Sequence, residues 1–434
     1  MSLPEKFILE KPQIKHNFTL NELKEKVDEL QELIYKSNNP EYLYWTDIKY
    51  KNWIKEKIEP SDFWQILDFS RSINSNVIYN FKTENNKNFL FNNVEHFNLI
   101  LKEIDNFKLD EINYNEFFIK NNLIEEAISS SQLEGAHTTR EIAKKIIKQK
   151  RQAVDESQNM IINNFEAMEV LQNKYKFQNL SVDMILELHE IFLKNDKKIS
   201  NDKIGCFREN KENIYIGNEL YYTHIAPNIE YVKEELNKLV YFANNIKTYH
   251  PIITAIIIHG IFAYLHPFVD GNGRISRCLF YWYLMRNNYE YMICFPISRV
   301  IKKLPNQYSN SFIYFQQNNF DMSYIIDYNL RKILQAKNEF LEYYNKKTIE
   351  LDNINNNFIN LIKEKNINSI QEELFNDLIS NKIFYLTIQY VVQKYKITRQ
   401  TASTYLKNME KENLLLSKKV GREVRYYKND GLNR

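Results

Sequence analysis

The residues best placed to do chemistry lie between His266 and Arg277, in the order H-P-F-V-D-G-N-G-R-I-S-R. His266 can take up a proton near neutral pH. Asp270 offers carboxylate oxygens that suit a hard cation such as Mg²⁺. Gly271 and Gly273 flank Asn272 and let backbone amides converge at the start of a helix, a ready anion site. Arg274 and Arg277 stand three apart on one helix face, so both can reach one polyphosphate. A base, a metal ligand and a phosphate cradle together point to a nucleotide whose phosphorus is attacked by a hydroxyl.

The flanking runs must hold this stretch in place. Ile252 to Leu265 before it and Cys278 to Leu284 after it are largely apolar, so the stretch reads as a loop between two buried helices. Further upstream, Glu125 to Leu133 reads as helix, with Ser130 and Glu134 four apart on one face. Gly135 supplies the helix end.

The motif matches H-x-F-x-D/E-G-N-G-R-x-x-R at every defining position, and on it the chain resembles the Fic family. The segment S-S-Q-L-E-G resembles the inhibitory motif S/T-x-x-x-E-G/N that accompanies many of these proteins, assigned here to Ser130, Glu134 and Gly135. Its position upstream resembles the class with an intramolecular inhibitory helix. The resemblance implies transfer of AMP from ATP to a Ser, Thr or Tyr hydroxyl of a protein, the chain itself included, with pyrophosphate leaving. It implies His266 as proton acceptor and Asp270 as the Mg²⁺ ligand. Gly271, Asn272 and Gly273 would cradle the phosphates, with the Asn272 side-chain amide contributing, and Arg274 and Arg277 would hold the β- and γ-phosphates. Phe268 would anchor the loop. Glu134 paired with Arg277 would keep that arginine from the terminal phosphate and repel it. UMP or phosphocholine transfer lies within the same family. Two other classes stay open: a DNA-binding regulator whose domain senses nucleotide, and a hydrolase that removes AMP with Glu134 positioning water.

The totals set the frame. At 434 residues the chain has room for two or three domains, and its 44% apolar and 14% aromatic content indicates a folded protein. Few glycines and prolines and long helical spacing predict a mainly α architecture, a Fic helical core with a small β-hairpin flap and a C-terminal winged helix-turn-helix. Cys206, Cys278 and Cys294 are sparse and lack metal-ligand spacing, which suits a reducing compartment. The start lacks a signal-peptide core and no run is long enough to span a membrane, so the expectation is a cytoplasmic protein with no membrane partner. Homo-oligomerisation stays open.

Residues 1–110 read as a helical extension without chemistry, and the aromatic run Tyr42 to Trp53 as core. Residues 111–340 form the expected catalytic domain. Asn213 to Gly217 and Leu220 to Ile225 have strand composition across Gly217-Asn218. In the Fic family such a hairpin is a flap that holds a target by main-chain pairing, which would assign Ile214, Tyr215 and Ile216 here; a purely structural hairpin is the competing view. Tyr308 falls where base-binding side chains are found in related proteins. Helical spacing from Asn329 to Leu351 gives way to an Asn- and Lys-rich piece, Asn353 to Asn368, read as a hinge or linker within a helical linker spanning 341–368.

Residues 369–434 carry three helical patterns, Ser369–Ile379, Thr387–Tyr395 and Thr398–Lys411, then two strands around Gly421-Arg422. From Lys382 to Lys428 eleven Lys/Arg stand against three Glu, in a chain whose total is only +3. Such asymmetry suits a phosphate-binding surface, and Arg399, Gln400, Ser403, Thr404 and Lys407 are the candidate DNA contacts. A protein-contact role is the alternative.

Overall fold

A computed structural model describes residues 5–107, 116–212, 214–217, 221–363, 367–379, 383, 385–420 and 423–429. The chain separates into two compact units, Met1–Phe340 and Leu341–Arg434.

The first unit is built around the helix Pro251–Leu265 and the motif helix Asn272–Arg286. The run P-I-I-T-A-I-I-I-H-G-I-F-A-Y-L is rich in β-branched residues yet too long for one strand. Pro251 in the first turn and His250 as N-cap, its ring accepting from the Ile252 N–H at 3.3 Å, start it as a helix. Ile252, Ile256, Ile257, Ile258, Ile261 and Phe262 are all fully buried. Each such side chain contributes about 2 kcal/mol of hydrophobic stabilisation, an upper figure because unfolded chains are already partly collapsed. The motif helix is buried along most of its length, with Ile275, Leu279 and Trp282 at its centre.

The upstream helix runs Glu116–Leu133, longer than its sequence pattern suggests. It ends in a Schellman motif: the Gly135 N–H donates to the Gln132 carbonyl and the Ala136 N–H to that of Ser131. Gly135 has φ +95°, a conformation that a side chain there would strain.

Three strands form the flap sheet in the order β1 (Glu5–Lys6), β5 (Tyr221–Ile225), β4 (Tyr215–Gly217). β4 and β5 are antiparallel, with Tyr215 opposite Ile225 and Ile216 opposite His224. β1 pairs parallel to the other edge of β5. Asn213, Asn218 and Leu220, which the sequence placed at the hairpin's ends and turn, lie outside the described residues.

Residues 1–110 are not purely helical. β2 (Asn76–Lys82) and β3 (Asn88–Phe91) make an antiparallel hairpin. Its short alternating runs, with Ile78, Phe81, Phe89 and Phe91 buried, were hidden among the longer helical stripes. The aromatic run is core: Tyr42, Tyr44 and Trp45 are buried, and Tyr44 stacks on Tyr314 with centroids 4.2 Å apart.

The expected hinge at Asn353 is also corrected. A single helix runs Ser323–Lys363, through most of the Asn-rich piece. That piece has neither Gly nor Pro, and asparagine costs a helix only a few tenths of a kcal/mol, about 0.7 at most per residue.

In the second unit the helices are Ser369–Ile379, Ile388–Tyr395 and Arg399–Lys411. Thr387 and Thr398 cap the latter two, accepting from the Tyr390 and Thr401 N–H groups. β6 (Leu415–Val420) and β7 (Glu423–Lys428) follow as an antiparallel pair. Leu374, Leu386, Val391, Ala402, Leu406 and Tyr426 fill the core. The Gly421-Arg422 turn lies outside the described residues.

Candidate active site

His266 ends the Pro251–Leu265 helix in the left-handed conformation, φ +50°, with its N–H on the Phe262 carbonyl. This turns its ring out of the helix. Nδ1 lies 3.3 Å from the Ala263 carbonyl, which can only accept, so Nδ1 carries the proton and Nε2 keeps its lone pair. Burial lowers the imidazole pKa to about 4, opposed by the Ala263 carbonyl and the Glu134 and Asp270 charges. His266 is therefore neutral at pH 7 and able to accept a proton.

Arg208 holds the same turn from below. It is 4% exposed, its Nε donates to the His266 carbonyl at 2.9 Å, and its own N–H donates to the Pro267 carbonyl at 3.0 Å. His189 fixes the other side of the loop. Its Nδ1 accepts from the Gly205 N–H at 2.9 Å, so Nε2 donates to the Asp270 carbonyl at 3.2 Å, and its ring stacks on Phe268 at 3.9 Å. Neither residue belongs to a recognisable motif, and a lone histidine in an amphipathic helix carries no signal in sequence.

The loop residues divide differently from expectation. Phe268 is fully buried as an anchor. The Asn272 side chain does not face a ligand. Its Oδ1 accepts from the Phe268 N–H at 3.0 Å and its Nδ2 donates to the Phe268 carbonyl at 2.8 Å. It clasps the loop to the helix start, because a buried turn must satisfy its own backbone groups. Arg274 is likewise buried, 1% exposed, and donates to the Asp270 carboxylate at 3.1 Å and the Phe192 carbonyl at 3.2 Å. It positions Asp270 rather than standing open to a polyphosphate. Gly271, at φ +85°, is the N-cap of the motif helix, which has no side-chain cap. The N–H groups of the first turn are thus presented where an anion can meet them.

Asp270 accepts from the Gly271 N–H at 2.5 Å and keeps 39% of its side chain exposed. Among the described residues no group of three or more His, Cys, Asp or Glu could hold a metal. A single exposed carboxylate fits Mg²⁺ brought in with a nucleotide, since that ion takes one or two protein carboxylates and completes its shell with phosphate and water.

Arg277 is 6% exposed and occupied. Its Nε donates to the Ser130 hydroxyl at 2.9 Å, and Nη2 donates to the Ser130 carbonyl at 3.1 Å and to Glu134 Oε1 at 2.7 Å. The same Glu134 oxygen would lie 2.2 Å from a Cβ built on Gly273. A carboxylate thus sits on both the arginine and the amide end of the helix, where an anion would go. Tyr308, half-buried, has its hydroxyl 2.9 Å from His259 Nε2. In the flap, Ile214, Tyr215 and Ile216 are partly buried, and the Ile214 carbonyl accepts from the Ala226 N–H. His224 of β5 fastens the sheet to the Pro251–Leu265 helix: Nε2 donates to the Tyr264 carbonyl at 2.7 Å, and Nδ1 lies 2.8 Å from the Gln316 amide oxygen.

Burial lowers four histidines, His189, His224, His259 and His266, to about 4 each. A lowered folded-state pKa means that the unfolded chain binds more protons between about 6.5 and 4. Stability is therefore full above pH 6.5 and is lost as the pH falls through that window. We expect Tm to drop by roughly 5 °C or more from pH 7 to pH 5. A flat or rising Tm across that interval would rule this out.

In the second unit Arg399, Gln400, Thr404 and Lys407 are exposed along one face of their helix and Ser403 is half-buried. The Thr404 hydroxyl donates back to the Gln400 carbonyl at 3.0 Å. Lys418 and Lys419 are exposed on β6.

Comparison with known proteins agrees with this geometry. Residues 179–284 match the Fic/DOC family, and residues 354–430 match the C-terminal domain of SoFic-like protein adenylyltransferases. Curated relatives include protein adenylyltransferase fic-1 of Caenorhabditis briggsae, 35% identical over 116 residues, and that of Caenorhabditis elegans, 34% identical over 116 residues. Protein adenylyltransferase Fic of Drosophila erecta is 33% identical over 116 residues. These matches span 26% of this chain and 21% of each relative. A crystal structure of a Fic family protein from Desulfovibrio desulfuricans G20 shares the fold, with a TM-score of 0.52 at 17% identity over 77% of this chain and 95% of that one. No helix among the described residues is long and apolar enough to cross a membrane. With the complete motif folded around a neutral His266, residues 179–284 belong to the Fic/DOC family.

Proposed function

We propose that the protein is an autoinhibited protein adenylyltransferase that moves AMP from ATP to a Ser, Thr or Tyr hydroxyl of a protein, itself included. The observation that carries the reading is the neutral His266 beside an uncapped helix end and an arginine blocked by Glu134. In the proposed step the target hydroxyl oxygen bonds to the α-phosphorus and gives its proton to His266 Nε2. The bond to the bridging oxygen breaks, and pyrophosphate carries that electron pair away. The first-turn amides of the motif helix, with Arg277 once released, stabilise the phosphate charge. Arg274 aims Asp270, and Asn272 keeps the loop closed. Mg²⁺, held by Asp270 together with the phosphates, would neutralise their charge when bound. The outer edge of β4, carrying Tyr215 and Ile216 and lacking a neighbouring strand among the described residues, would take the target segment by strand addition.

The test is to supply Mg²⁺ with ATP labelled at either the α- or the γ-phosphate to a variant without Glu134. The protein should retain the α-label and not the γ-label. Retention of the γ-label, or of neither by the variant and added lysate proteins, defeats the reading.

A second reading concerns the C-terminal unit, where exposed Arg399, Gln400, Thr404 and Lys407 share a face in a markedly basic region. We propose that this face binds duplex DNA. Full-length protein should bind a duplex more weakly as salt rises, and Lys407→Ala should lower the slope of log K against log salt by about one. Salt-independent binding, or none, counts against it.

A further inference from the structure

Two residues of the upstream helix, and Glu134 just past its end, meet three of the motif helix in step. Glu126 meets Tyr281, Ser130 meets Arg277, and Glu134 meets Gly273. Each step runs four residues forward on one helix and four back on the other, so a single polar seam joins two antiparallel faces. The last two steps form the inhibitory contact, and Glu126 lies two turns before Glu134.

Glu126 is 3% exposed. Its carboxylate accepts from the Ser298 N–H at 3.0 Å, from the Ser298 hydroxyl, and from the Tyr281 hydroxyl at 3.1 Å. Tyr281 belongs to the motif helix and Ser298 to the short helix Ile297–Ile301. A buried carboxylate is tolerated only when its lone pairs are met, and three donors meet this one, with the Arg277 charge nearby. The neighbouring Glu125 turns elsewhere, to Arg140 and Lys144. The apolar face of the helix, with Leu123, Ile124, Ala127 and Ile128 buried, holds it against the core but does not by itself fix its position along the seam.

We propose that Glu126 is the latch that seats the inhibitory helix, setting the register that delivers Glu134 to Arg277 and Gly273. This rests on the autoinhibited-transferase reading. Removing the carboxylate leaves the Ser298 N–H and hydroxyl unpaired in a dry contact, so the helix gains by shifting, and Glu134 shifts with it. Glutamine keeps the volume and one acceptor oxygen.

The test uses full-length Glu126→Ala, Glu126→Gln, Glu134→Gly and Glu126→Ala/Glu134→Gly with α-labelled ATP and Mg²⁺. Hydrogen exchange of residues 123–134 is followed in parallel. Glu126→Ala should label itself about tenfold or more above wild type, as expected when buried donors lose their partner. Glu126→Gln should stay near wild type, and the double variant should match Glu134→Gly alone. Exchange in 123–134 should quicken in Glu126→Ala and in the double variant but not in Glu134→Gly. Wild-type labelling and exchange in Glu126→Ala overturn the proposal. So does a double variant far below Glu134→Gly, which would make Glu126 part of the transfer and not of the brake. If Glu126→Ala does not fold, Ser298→Ala carries the test, with a rise of about threefold. If Glu134→Gly itself stays unlabelled, the transferase reading fails, while the exchange measurement still decides whether Glu126 seats the helix.

Discussion

Replacing Glu134 with glycine should raise self-labelling from α-labelled ATP by about a hundredfold or more. The size follows from where the carboxylate sits. Its Oε1 is 2.7 Å from Arg277 Nη2 and would be 2.2 Å from a Cβ on Gly273, so it occupies space that an incoming phosphate needs. Two like charges about 4 Å apart at an effective dielectric near 20 repel by about 4 kcal/mol, close to a thousandfold. Only part of that is recovered, because Glu134 is 28% exposed and can swing toward water. The substitution also frees Arg277, whose remaining bonds to Ser130 leave a guanidinium that can turn to a phosphate. Glu134 follows the last helical residue and precedes Gly135, so a glycine there should leave the rest of the upstream helix in place. The same variant separates the hydrolase alternative. If Glu134 positions water for AMP removal, its loss should stop release of AMP from a modified protein. A variant that labels no better than wild type, with its fold intact, removes Glu134 as the brake.

Much of this site was readable in advance, for identifiable reasons. The motif loop is local: His266 to Arg277 are close in sequence, so their spacing maps directly onto one turn and one helix start. The threonine caps and the Gly135 helix end were also local signals. What sequence could not give were contacts made at a distance. Arg208 reaches His266 across 58 residues, Ser298 reaches Glu126 across 172, and His189 reaches Asp270 across 81. None stands beside a partner in the chain. Asn272 and Arg274 show the opposite difficulty. Their types and positions fit a phosphate cradle, yet burial turned one to the Phe268 backbone and the other to Asp270 and Phe192. Polar groups inside a folded loop must first satisfy that loop. The β2–β3 hairpin and the unbroken run of the helix at Asn353 escape a reading of the sequence because short strands and asparagine-rich helices both lack a strong periodic signal.

His266→Ala, placed in the Glu134→Gly background, should lower the labelling rate by about 10²- to 10⁴-fold, the usual worth of a positioned proton acceptor. ATP affinity should change little, because nothing in the phosphate cradle depends on the imidazole: the first-turn amides belong to the motif helix, and Arg277 is held from the upstream helix. The loss should therefore fall on the turnover step. The pH profile gives a second, independent reading. Burial lowers the imidazole to about 4, so Nε2 is free of its proton well below the ordinary histidine range. In the free enzyme the acid limb of kcat/KM for Glu134→Gly should thus lie below pH 6.5, with activity falling as pH drops towards 4 and His266 becomes protonated. Arg208 adds to the lowering through its charge as well as holding the His266 carbonyl. Arg208→Met should accordingly move that limb upward while slowing turnover. An acid limb unmoved by Arg208→Met, together with a His266→Ala protein that still labels at the parent rate, would mean that the hydroxyl proton leaves by another route.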